Sequence, residues 1–324
     1  MKAILVFIDG TICDTRQRHH LEGTSGFFQR ENILKDLAIP GSLAALQELA
    51  AIYKIVYIGA RPPKSTLATR EWLDLNEFPQ GEIRLHEEQS GRLELVRQAA
   101  GSHIFLAGIG ARWDDNELHR TLGCLSIILQ EFAGDWSNVV DTIVEFEKEM
   151  LVAQNKVRLE GKVEGLARVC PLLLAQYGDE LWEAYHAAVH EMAESSRETR
   201  RAEDLASFAQ YQLDTENLAD TAKWYALTNQ EDWRNNPLFG LQEREVVEVS
   251  RGRYVQKITG CYYADLWKAQ GLAEVGYQIH CATDAAWWDR PARNAKVRFE
   301  QPQTLMQGAE SCLFIQYIPE NTES

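Results

Sequence analysis

The sequence predicts two folds in succession: a doubly wound α/β parallel sheet over residues 1–145, then an α+β domain with a helical portion and an antiparallel sheet over 146–324. Three observations predict this. In the first half, continuous apolar runs alternate with helical periodicity, as buried parallel strands joined by helices do. From Gly161 to Trp233 the pattern is almost wholly helical. Beyond that, alternating polar and apolar segments flank turn residues, which is the mark of hairpins. A length of 324 residues also exceeds the usual single domain.

The elements follow in order. Residues 3–8 (AILVFI) form an apolar run ending in Asp9-Gly10-Thr11, a buried strand meeting a tight turn. Helical spacing in Gly41–Ile52 leads to a second strand, Ile55–Ile58, which ends in Gly59-Ala60-Arg61-Pro62. A helix starts near Ser65, a third strand covers Ile104–Gly108, and a fourth covers Leu125–Leu129. Residues 136–157 place Val140, Ile143, Val144, Phe146 and Met150 at helical spacing, so a helix leaves the first domain. Leu172–Ala193 is a long amphipathic segment, and the charged run Glu194–Asp204 reads as a solvated face. Glu243–Val249 and Tyr254–Ile258 flank Arg251-Gly252-Arg253 as a hairpin, and Val297–Glu300 and Leu313–Tyr317 read as further strands.

Composition narrows the function. The net charge of −15 argues against nucleic acid or an anionic membrane as partner and leaves a small-molecule substrate. Homo-oligomers remain open. The six-residue apolar run after Lys2 is too short for a signal-peptide core or a membrane span. The six cysteines therefore read as reduced thiols in a cytoplasmic protein, and none is spaced C-x-x-C as a structural zinc site would require.

The strand ends resemble the haloacid dehalogenase superfamily, the aspartate-nucleophile phosphatases. The resemblance covers about residues 1–135 and rests on Asp9-Gly10-Thr11, Gly59-Ala60-Arg61-Pro62 and Gly110 to Asp115. The departures decide its meaning. The nucleophile's position is Phe7, the second motif's hydroxyl residue is Gly59, and the first magnesium aspartate is Ala111; Arg92 is the nearest counterpart of the family's lysine. A phenylalanine neither attacks phosphorus nor ligates Mg²⁺. This half is expected to be a pseudo-phosphatase with no cofactor, in which Asp9 shapes its own turn and Asp114 and Asp115 cap a helix. A Mg²⁺ site on Asp9, Asp14 and Asp115 is the weaker alternative.

The chemistry concentrates between Lys257 and Tyr317, which hold Cys261, Cys281 and Cys312, with His280 beside the second cysteine and Asp284 three residues after it. The pattern Cys261, Trp267, Gly271, Cys281-x-x-Asp284, then Phe299, Thr304-Leu305, Gly308 and Cys312-x-Phe314 resembles the L-2-amino-thiazoline-4-carboxylic acid hydrolase family. That resemblance implies hydrolytic opening of a cyclic amidine or thiazoline-like ring. A thiolate is the strongest side-chain nucleophile near neutral pH, which makes Cys281 the expected nucleophile. Asp284 would hold the amidinium, and His280 would lower the thiol pKa and activate water.

Cys261 and Cys312 are alternative nucleophiles, each with a plain reading as a buried small hydrophobe. Adjacent helical residues point about 100° apart, which sets His280 off the Cys281 face, whereas Asp284 at i+3 shares it. Trp267, Trp287 and Thr304 are candidate substrate contacts, and Trp288 could wall a pocket with Trp287. His186 and His190 have metal-ligand spacing without a third ligand, and Arg200 and Arg201 could receive a carboxylate. Two rival functions remain: a small-molecule-binding regulatory protein, and a working phosphatase or phosphotransferase in the first half.

Overall fold

A computed structural model describes residues 1–231, 233–291 and 293–319. The chain divides into two compact units, Met1–Glu149 and Met150–Ser324, with the division inside the helix Val139–Tyr177 rather than in a linker.

The first unit is a five-stranded, wholly parallel sheet. Its strands are β1 (Lys2–Phe7), β2 (Lys54–Gly59), β3 (Gly81–Leu85), β4 (Ile104–Gly110) and β5 (Leu125–Ile128), in spatial order β3-β2-β1-β4-β5. The helices α1 (Ser42–Ala50), α2 (Thr66–Leu75), α3 (Gln89–Ala100) and α4 (Trp113–Leu122) alternate with them. Alternation along β1 shows why its sequence is continuously apolar. Ile4, Val6 and Ile8 enter one core with Leu46, Leu49 and Trp72, while Ala3, Leu5 and Phe7 enter another with Val96 and Leu118. Both faces are covered, so no position on the strand can be polar. The edge strand β3 (GEIRL) is the one the sequence reading lacks; it is only partly buried and carries two charges.

The second unit begins with helices: the remainder of α5 (Val139–Tyr177), then α6 (Glu180–Ser195), α7 (Arg197–Gln210) and α8 (Leu218–Glu231). An antiparallel sheet follows, made of β6 (Gln242–Val249), β7 (Arg253–Cys261), β8 (Arg298–Glu300) and β9 (Cys312–Tyr317) in the order β8-β9-β7-β6. Between β7 and β8 lie α9 (Tyr262–Ala269), the short α10 (Ala273–Gly276), a π-helical turn at Tyr277–Cys281, and α11 (Asp284–Trp288). The stretch Leu272–Ala282 is therefore not one regular helix. Ala282 N reaches back five residues to the Tyr277 carbonyl at 2.9 Å, the bond of a π turn. No described helix is long and apolar enough to cross a membrane.

Candidate active site

At the carboxyl ends of the parallel strands the phosphatase-like residues are engaged by neighbouring side chains and backbone. Gly10 holds φ +81°, the conformation that lets the chain turn directly after Asp9. Asp9 accepts from the buried Arg61 through Nη2 at 2.6 Å and Nε at 3.0 Å, and from Arg18 Nη2 at 3.3 Å. Burial alone would raise its carboxyl, but Arg61 and then Arg18 outweigh that and leave it below the ordinary value. Asp9 thus anchors two arginines instead of merely shaping its turn.

The remaining motif residues are occupied in the same way. Asp115 accepts from the backbone N–H of Ala111 and Arg112, both at 2.9 Å, as a helix cap. Asp14 pairs with Arg16, and Arg92 donates to the carbonyls of His86 and Glu87. Phe7 lies in the core, edge-on to His119 at 5.5 Å. No group of three or more His, Cys, Asp or Glu able to hold a metal occurs among the described residues.

The second unit holds a half-open pocket of 180 Å³. One wall is the sheet. Cys312 on β9 is in register with Ile258 on β7, which is in turn opposite Arg244 on β6; Cys261 is opposite Gln242. Side chains two apart on a strand share a face, so Gln242, Arg244, Cys312 and Phe314 all reach the same space. The other wall is helical: Tyr263 and Ala264 from α9, His280 and Cys281 from the π turn, Asp284 and Trp288 from α11, with Gln301, Leu305 and Met306 completing it. All three candidate cysteines, His280 and Asp284 therefore line one cavity. His280 and Cys281, adjacent in the π turn, both line this pocket, which is wide enough to meet side chains pointing in different directions.

Electrostatics separates their roles. Burial pushes the Cys281 thiol far above its ordinary range, and Asp284, Cys312 and Cys261 push it the same way. Burial raises Cys312 too, even though its Sγ accepts from Leu305 N at 3.1 Å. Burial raises Asp284 to about 7, opposed by a hydrogen bond from Gln301 Nε2 at 3.0 Å and by the charge of Arg244. His280 is lowered to about 4, by burial first and by Lys162 second, and its Nε2 has no hydrogen-bond partner among the described residues. Its ring sits edge-on to Tyr263 at 4.4 Å. An imidazole lowered in this way offers a thiolate no positive charge near neutral pH. The group poised to move a proton near neutral pH is Asp284.

The three candidate substrate contacts lie elsewhere. Trp267 is fully buried in the core behind the cavity, 6.2 Å from the His280 ring. Thr304 is buried as the cap of a short turn, its Oγ1 accepting from Gln307 N at 3.2 Å. Trp287 packs under the Arg200 guanidinium at 4.7 Å, which occupies both residues; its neighbour Trp288 is the tryptophan that lines the cavity. Arg201 is exposed. His186 is engaged with the Gln278 carbonyl at 2.9 Å, and His190 is exposed. Arg244, Gln242, Gln301 and Tyr263 are the lining residues that sequence reasoning missed. Arg244 sits in the alternating run Glu243–Val249, which looks like a solvated strand face, and nothing local marks it as facing a site.

A small, partly apolar cavity holding thiols, one carboxylate and one arginine has the makings of a site for hydrolysing a small polar molecule. Comparison with known families agrees: residues 167–315 match the model of the L-2-amino-thiazoline-4-carboxylic acid hydrolase family, which supports hydrolase activity in the second unit. The cavity-lining residues from Leu238 to Phe314 all fall inside that range. No match was found among curated proteins.

Among solved structures, a chain of the Pnkp1/Rnl/Hen1 RNA repair complex is similar at a TM-score of 0.35 and 15% identity, over 41% of this chain and 43% of that one. A second structure of the Pnkp1/Rnl/Hen1 complex gives 0.33 and 17%, over 41% and 47%. This chain thus spans less than half of either. The haloacid dehalogenase-like hydrolase SP0104 from Streptococcus pneumoniae gives 0.34 and 13%, over 44% of this chain and 90% of that one. At these values the likenesses add nothing to what the strand order itself shows.

Proposed function

We propose that the second unit is a cysteine-dependent hydrolase that opens a small cyclic amidine or thiazoline-like ring. The observation that carries this reading is the cavity that joins Cys281 to Asp284 within the residues matching the family model. At rest Cys281 is a neutral thiol, so the nucleophile must form in the complex. An amidinium bound beside ionised Asp284 supplies the positive charge that lowers the thiol pKa. Sγ adds to the amidine carbon while its proton passes to Asp284, which returns it to the leaving ring heteroatom as the ring bond breaks. Water then adds to the sulfur-bound iminium carbon and gives one proton to Asp284. The C–Sγ bond breaks as the oxygen becomes a carbonyl, its second proton restores the Cys281 thiol, and the proton on Asp284 leaves to solvent. A carboxyl titrating near 7 suits both transfers.

The experiment is turnover of 2-amino-thiazoline-4-carboxylate and related cyclic amidines by wild type and by Cys281→Ala. Loss of at least ~1,000-fold in the variant, with circular dichroism unchanged, is the expected outcome. Full activity in the variant would move the nucleophile to Cys261 or Cys312. The strongly raised Cys281 thiol favours one second reading, a binding cavity without turnover. That reading predicts ligand-dependent thermal stabilisation with no product from either protein.

For the first unit we propose no phosphatase activity, because Asp9 is engaged by Arg61 and Phe7 is packed in the core. Mg²⁺-dependent phosphate release from a generic aryl phosphate, abolished in Asp9→Asn, would overturn this.

A further inference from the structure

The ring-opening chemistry leaves one charged group of the cavity unused. Among the described residues that line it, Asp284 is the one carboxylate and Arg244 the one permanent cation. Arg244 lines the pocket from the exposed strand β6 and forms no ion pair among the described residues. Its Nε and Nη2 both donate to the Gln242 side-chain oxygen, a neutral acceptor, with the Nε contact at 3.0 Å. That bond fixes the plane of the guanidinium, while Nη1 and the second hydrogen on Nη2 meet no acceptor among the described residues. Two outward N–H groups on one edge are the geometry that receives a carboxylate with two parallel bonds. Asp284 is braced similarly by Gln301 from the helical side, so the two charges are set on different walls and attract without touching.

We propose that Arg244 is a specificity-determining residue: its guanidinium receives a carboxylate that the ligand carries away from its amidine, so that the cavity selects amidino acids over uncharged or purely cationic amidines. This deepens the proposed function and rests on it. A ligand with both charges satisfies Arg244 and keeps Asp284 ionised opposite the amidinium. A ligand without the carboxylate leaves Arg244 with only its neutral partner and forgoes the charge-assisted contact, and the difference appears as selectivity.

The test measures binding and turnover of two probes, 2-amino-thiazoline-4-carboxylate and 2-amino-2-thiazoline, which differ by the carboxylate alone. The proteins are full-length wild type, Arg244→Gln and Arg244→Lys, each checked by circular dichroism and Tm. Wild type is expected to prefer the carboxylated probe by about 10-fold or more in Kd, the worth of one charge-assisted contact. Arg244→Gln is expected to lose that preference while binding the uncharged-tail probe as wild type does, and Arg244→Lys to recover part of it. A merely structural arginine would weaken both probes equally, and that result would overturn the proposal. So would a preference undiminished in Arg244→Gln. If wild type binds neither probe, the hydrolase reading itself falls and Arg244 with it; if both are turned over without discrimination, only the Arg244 assignment falls.

Discussion

Asp284 and His280 face the same 180 Å³ and respond to burial in opposite ways. Burial raises Asp284 from 3.8 to about 7, so the folded state holds its proton more tightly than the unfolded chain does. Its contribution to stability is complete below pH 3.8 and is lost as the pH rises through about 7. His280 falls from 6.5 to about 4; its contribution is complete above 6.5 and is lost as the pH drops through about 4. Between those limits the two largely offset each other in wild type. Asp284→Asn removes only the first, so its stability relative to wild type should climb from pH 4 to pH 7, by at most roughly 4 kcal/mol. Urea denaturation at several pH values measures this, and a flat difference would mean that Asp284 titrates normally. The same substitution should abolish turnover at every pH, since an amide can neither accept the thiol proton nor pair with an amidinium.

Residues of this kind were only partly legible in the chain. Cys281 and Asp284 stand out because their types carry chemistry and their spacing places them within one turn. Arg244 does not, because a charged residue in an alternating strand looks the same whether it faces water or a cavity. Trp267 and Thr304 were misplaced for the converse reason: a large aromatic and a hydroxyl near a motif suit a core or a turn cap as readily as a ligand.

Among the elements, the π turn at Tyr277–Cys281 decides the site. Gly276 precedes it, buried against the Trp267 indole; a Cβ there would stand 2.4 Å from the ring's Cγ. Gly276→Ala must therefore shift either the rigid indole or the turn, at a cost of about 1–3 kcal/mol. The expected outcome is a lower Tm together with faster thiol labelling of Cys281 as its packing loosens. An unchanged Tm would show that the turn tolerates the displacement. Helical periodicity announced an element here but not its pitch, because an extra residue in a turn leaves no mark on an apolar pattern. The sheet beside it was legible in strands and missing in register. Which residue stands opposite Arg244 is set by the bulge between Glu243 and Arg244, a backbone feature without a sequence signal at that position.

At the scale of the whole molecule, the proposed chemistry lies in the second unit, so a change in the first should act on stability alone. Asp9→Ala would leave Arg61 in the core with one remaining carboxylate, Asp36, at 3.9 Å. Removing one member of a buried ion pair costs roughly 3–5 kcal/mol, and Asp36 places this case at the low end. Denaturation should then show an early transition belonging to Met1–Glu149, with turnover of the thiazoline probe intact before it. Loss of turnover at temperatures where that unit remains folded would give Asp9 a part in the chemistry. Below pH 3.8 wild type should lose this same contribution, because the Asp9 carboxyl is held below its ordinary value.

What the amino-acid sequence determined by itself was the class of each half and the types of residue available for chemistry. Apolar runs, periodicity and turn residues are local quantities, and a parallel sheet buried on both faces or an antiparallel hairpin writes them directly into the chain. The departures from the phosphatase-like motif were equally visible, since Phe7 stands where the resemblance implies a nucleophile. The tertiary structure alone decided which of those residues meet and in what state of charge. Three strands, α9, the broken helix that follows it and the flanking loops converge on the Cys281 cavity from positions 238 to 314, and burial there, not sequence spacing, raises the thiol, lowers the imidazole and brings Asp284 to about 7.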